Sequence, residues 1–151
     1  MMDFIKSKLT IRNLLLALSF LITLVGFIMH LVVCTTGYFI GQAPNAVVTV
    51  CSILFLVGTV LFIAFDDKIG KFDTLVFFAL AAFIILSFVF FVLDKEAVVG
   101  EMMVPVNHPQ KQIDAASLTI TGVVFYGIGF IFFAAASFFA LKGDKKEKVS
   151  A

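Results

Sequence analysis

Apolar residues run almost unbroken along this chain, and the polar interruptions are short. From Asn13 to Phe65 there is no Asp, Glu, Lys or Arg. That run is too long for one membrane-crossing helix and long enough for two with a turn between them. The turn falls in TTGYFIGQAPN, Thr35 to Asn45, where Gly37, Gly41, Pro44 and Asn45 are turn formers. The pattern therefore predicts spans over about 13–34 and 46–65. A third, TLVFFALAAFIILSFVFFVL, covers 74–93, and a fourth, AASLTITGVVFYGIGFIFFAAASFFAL, covers 115–141. The runs are continuous rather than alternating, which predicts helices and not the strands of a barrel. At about 1.5 Å per residue, some 20 residues cross the ~30 Å hydrocarbon core. Asn45, Asp73 and Asp114 stand where N-cap side chains are expected. Gly143 follows the fourth run as an expected C-cap, with Lys142 suited to the negative helix end.

Composition agrees. The apolar fraction is 62%, above the roughly 45–50% of soluble domains. A single all-α membrane domain over 1–151 is the expectation. Phe abounds, with 20 residues, and Trp is absent, so only Tyr38 and Tyr126 could supply amphipathic rings at an interface. The net charge of +1 says little, but its distribution says more. Lys6, Lys8 and Arg12 precede the first run. Lys68 and Lys71 lie between the second and third, and Lys142, Lys145, Lys146 and Lys148 follow the fourth. Nine of the 11 basic residues thus share one side, leaving Lys95 and Lys111 on the other. The positive-inside rule predicts cytoplasmic N and C termini. It leaves a short first outer loop and a second one of about 21 residues, Asp94 to Asp114. The N-terminal run exceeds a signal peptide's apolar core and is read as a retained span. The low Trp and high Phe, Ile and Lys hint at a bacterial plasma membrane.

The candidate chemistry is sparse. No predicted span holds a charged residue, which weakens a proton-coupled transporter reading. Haem between helices needs facing histidines, and only His30 lies in a span. Cys34 and Cys51 form no CxxC pair, and a disulfide between them would join different depths. His30 and His108 lack a matched third ligand for a metal. No nucleotide, hydrolase or zinc-protease motif occurs. No catalytic, cofactor or metal site is assigned, and nucleic acid is not an expected partner.

Three patterns remain. Ser19, Thr23, Gly26 and His30 recur at three- and four-residue spacing, a polar stripe that lipid could not satisfy and that should face other helices. The bland reading of His30 is a histidine hydrogen-bonded to a neighbouring hydroxyl or carbonyl. Ala115, Gly122, Gly129 and Ala136 stand seven apart, nearly two helical turns, as a stripe of small residues suited to close helix packing, with Phe125, Phe132 and Phe133 off it. In the second outer loop, Met102, Met103, Val104 and Val106 could form a contact surface, whereas Asp94, Glu96, Glu101, His108 and Asp114 show no recognisable catalytic pairing.

The resulting expectation is a non-enzymatic multi-pass protein, an accessory or structural subunit of a larger membrane complex such as a transporter. Its partners would be the bilayer and other membrane subunits, or further copies of itself. The alternative is a small homo-oligomeric channel or carrier built on the polar stripe around His30.

Overall fold

The computed structural model of the chain describes residues 10–35, 37–39, 42–69, 72–104 and 107–149, with the side chains of these except 66–69 and 140–149. Among the described residues there are four helices long and apolar enough to cross a membrane, and no strand. They are α1, Ile11–Thr35, α2, Ala46–Ile69, α3, Asp73–Glu101, and α4, Gln110–Val149, with a 3-10 turn at Gly37–Phe39 between the first two.

The helices outrun the apolar runs that predict them. Asp94–Glu101 and Gln110–Asp114, expected as loop, are helical, and the described residues outside the helices there are 102–104 and 107–109. Lys, Glu, Gln and Ala are good helix formers, so the helices need not stop where apolarity stops. α3 closes with tightening backbone bonds, from Met103 N–H to the Gly100 carbonyl and from Val104 N–H to the Glu101 carbonyl, each 3.1 Å. α4 likewise continues through Gly143 to Val149, so that glycine is not a C-cap.

Of the expected N-caps only Asn45 acts as one. Its Oδ1 accepts from the N–H of Val47 at 3.0 Å and of Val48 at 3.4 Å. The cap position of α3 is Phe72, and Asp73 already lies in the first turn, where its carboxylate meets Arg12 of α1 at 3.3 Å. Asp114 is inside α4, accepting from Gln110 Nε2 one turn earlier at 2.8 Å. The Pro109 carbonyl takes the first N–H groups of that helix, from Gln112 and Ile113. α2 breaks at Phe65, whose backbone leaves the helical region (φ −106°, ψ 15°), where the second apolar run ends.

The helices close into a bundle in which α1 and α4 share the broadest contact and α2 packs chiefly on α3. Buried positions recur every three or four residues, as in Leu16, Ser19, Thr23, Gly26, His30 and Val33 of α1. One core cluster joins Leu16, Phe55, Phe62, Phe77, Ile84 and Phe133. Its rings meet mainly edge to face, with centroids 5.5 Å apart for Phe55–Phe133 and 4.9 Å for Phe62–Phe77. The outward faces are apolar too, with Leu75, Phe78, Ile131 and Phe138 largely exposed. An apolar exterior around an interior that holds Ser, Thr and His is compatible with a small membrane protein.

Candidate functional site

The polar side chains of the interior fall along the axis of the bundle. All four stripe residues of α1 are buried against neighbouring helices. Ser19 Oγ donates to the carbonyl of Gly129 at 2.7 Å. Thr23 abuts Gly129 so closely that a Cβ there would collide with its hydroxyl oxygen. A Cβ on Gly26 would stand 3.0 Å from the ring of Tyr126. The ring of His30 meets that of Phe91 edge-on, with centroids 5.0 Å apart.

The small residues of α4 lie opposite. Ala115 and Ala136 are buried, as are Gly122 and Gly129. A Cβ on Gly122 would approach Phe91 Cε1 of α3 to 2.7 Å and Met29 Cβ of α1 to 3.3 Å. Phe133, off the small-residue stripe, is nonetheless buried in the core, while Phe125 and Phe132 are half-buried.

At mid-bundle, three helices share one hydroxyl network. Ser52 Oγ of α2 lies 2.6 Å from the Tyr126 hydroxyl of α4 and donates to Ser87 Oγ of α3 at 3.1 Å. Ser87 Oγ in turn donates to the Phe83 carbonyl at 2.9 Å. Thr59 and Thr119 bond carbonyls of their own helices, Phe55 and Ala115. Nothing in the sequence pairs Ser52 with Tyr126, since each is one polar residue among many.

Two polar groups stand apart. The Thr23 hydroxyl and both ring nitrogens of His30 have no hydrogen-bond partner among the described residues. Among the described residues, then, no hydroxyl or carbonyl bonds the His30 ring, which instead meets that of Phe91.

The bundle end nearest His30 holds the feature that sequence reasoning missed. Lys95, expected in the second outer loop, is 2% exposed. Its Nζ lies 2.8 Å from Asp94 Oδ2 and 4.1 Å from the centroid of the Phe39 ring in the 3-10 turn. Asn45 Nδ2 donates to the other Asp94 oxygen at 3.4 Å. A buried ammonium needs such compensation, because desolvating a lone charge is costly. The signal that could have found it is register. Phe77, Ile84, Phe91 and Val98 follow one another at seven-residue intervals, and Lys95 continues the inward-facing series.

The loop residues divide. Met103 is 84% and Val104 53% exposed. Met102 packs against the cluster of Val33, Phe39 and Val98, and Val106 lies outside the described residues. Gln112 Nε2 donates to Glu101 Oε2, joining the end of α3 to the first turn of α4. His108 contacts both Gln112 and the Val104 carbonyl.

Chemically, Lys95 and Asp94 make an ion pair, the hydroxyls of Ser19, Ser52, Ser87, Thr59, Thr119 and Tyr126 are engaged, and the Thr23 hydroxyl and the His30 ring are left without partners among the described residues. Cys34 and Cys51 are buried and unbonded to each other. Among the described residues, no three His, Cys, Asp or Glu side chains gather where they could hold a metal. No protein-family model, curated protein or solved structure matches this chain.

Proposed function

We propose that this is a multi-pass membrane protein with cytoplasmic N and C termini, acting without enzymatic activity as an accessory or structural subunit of a larger membrane complex, such as a transporter in a bacterial plasma membrane. One observation carries the reading: the interior is occupied by its own contacts. Ser19, Ser52, Thr59, Ser87, Thr119 and Tyr126 are bonded within the bundle. Phe55, Phe62, Phe77, Phe91 and Phe133 fill the space between them. A solute crossing such an interior would have to displace both. The apolar outer faces suit lipid and neighbouring helices, and the exposed Met103 and Val104 offer an apolar contact beyond the bundle end.

A second reading, a homo-oligomeric channel or carrier around the polar stripe, draws on His30. Its ring is fully buried and neither nitrogen is hydrogen-bonded among the described residues. Buried polar groups are ordinarily satisfied, and an exception calls for a role. Purification in mild detergent separates the two. A different membrane protein retained in fixed stoichiometry is the expected result. A homo-oligomer free of other chains favours the second reading, and a lone monomer in several mild detergents would overturn both.

A further inference from the structure

We propose that His108 is a pH-operated clasp on the connection between α3 and α4. The argument is one of donors and acceptors. His108 Nδ1 lies 3.3 Å from Gln112 Oε1, and its Nε2 lies 3.0 Å from the Val104 carbonyl oxygen. A carbonyl can only accept. The Gln112 amide could in principle turn its NH₂ toward the ring, but its Nε2 is committed to the Glu101 carboxylate, which can only accept when ionised. Gln112 must then present oxygen to His108. Both ring nitrogens therefore face acceptors, and only the imidazolium carries a proton on each. A neutral ring satisfies one acceptor and sets a lone pair against the other.

The clasp crosses the whole connection. Val104 follows the end of α3, Gln112 lies in the first turn of α4, and Glu101 is the last residue of α3. Proton uptake by His108 from solvent completes both bonds. Loss of that proton leaves the ring one donor for two acceptors, and one bond goes with it. The sign is fixed: the connection is tightest on the acid side and loosens toward the alkaline side. The other charged groups around the clasp are Glu101, which holds Gln112 from the α3 side, and Lys111 and Asp114 on α4, with Asp114 engaged by Gln110. Loosening acts on the segment that carries the exposed Met103 and Val104. On the topology proposed above, the clasp would respond to pH outside the cell. That clause rests on the topology, whereas the clasp itself does not.

The test uses the full chain in detergent micelles, with nitrogen-labelled histidine and His30→Gln to leave a single imidazole. Near pH 5 both His108 ring nitrogens should give the spectrum of hydrogen-bonded N–H groups. Near pH 8 one should be lost. Amide hydrogen exchange across 102–113, corrected for intrinsic rates, should then quicken about tenfold, the factor expected when one charge-assisted hydrogen bond goes. His108→Gln and Gln112→Leu should each abolish that pH dependence. Glu101→Gln should weaken it by freeing the Gln112 amide to turn. A neutral single tautomer at the acid end, or unchanged pH dependence of exchange in His108→Gln, would overturn the proposal. If the clasp variants fail to fold, the exchange of the two His108 ring N–H protons with water near pH 5 decides the matter: both should be protected in the clasp, and free exchange of both would overturn it.

Discussion

Gly129 shows what a single residue settles in this bundle. Its carbonyl accepts the Ser19 hydroxyl proton, and its missing side chain leaves room for Thr23. Both contacts join α4 to α1, and both need the backbones close. Gly129→Ala would drive a methyl into the Thr23 hydroxyl, and overpacking of this kind costs about 1–3 kcal/mol. Because the obstructing atom belongs to Thr23, Thr23→Ala should recover part of the loss in the double variant. Phe132→Leu, on a half-buried face nearby, should cost less than about 1.5 kcal/mol. Thermal unfolding in detergent of the four variants measures this. Equal behaviour of Gly129→Ala and Phe132→Leu would show that close approach at Gly129 is not what holds the pair together.

At the scale of elements, the helices extend past their apolar stretches and carry charge into the packing. α3 has 29 residues, about 44 Å at 1.5 Å each, well beyond the ~30 Å of a hydrocarbon core. Its last two turns keep the inward register of the first six, and so Lys95 is buried. Breaking a buried ion pair by removing one partner is costly when the charge left behind is buried, while replacing the whole pair by apolar chains of similar shape is often neutral or stabilising. Lys95→Met leaves behind an Asp94 that is 27% exposed and still bonded by Asn45, so it should leave thermal stability nearly unchanged. Asp94→Ala should lower it by about 1–3 kcal/mol, less than for a fully buried pair because the Asp94 side chain is itself 27% exposed. The double variant should be more stable than Asp94→Ala alone. A larger loss for Lys95→Met than for Asp94→Ala would mean that the ammonium itself is what this end requires.

For the whole molecule the proposed orientation in a membrane rests on the nine-to-two asymmetry of basic residues. With Cys34 and Cys51 replaced by alanine, a cysteine at Gln110 should react with an impermeant thiol reagent on intact cells, and one at Ser150 should not. Gln110 is exposed at the start of α4, so lack of reaction there would reflect sidedness rather than burial. The reverse labelling would overturn the proposed topology.

Four apolar helices were legible in the sequence because a membrane-crossing helix satisfies its own backbone and needs only a continuous apolar run. The Asn45 cap was legible for a like reason: it acts on the residues that follow it in the chain. The buried positions of α1 and the small residues of α4 could be read from helical spacing. Their partners could not. Which hydroxyl meets Tyr126, what covers Lys95 and why His30 faces a Phe ring depend on residues far apart in the chain that share a depth only after four helices have chosen their rotations. Asp73 and Asp114 mark the same boundary, since each has a local cap signal that the fold overrides, through Arg12 and through an earlier start of α4. Local hydrogen bonding and apolar length were properties of the sequence by itself. Rotation and the pairing of polar groups were decided by the tertiary structure, because only packing of one helix on another sets which side chains are buried together.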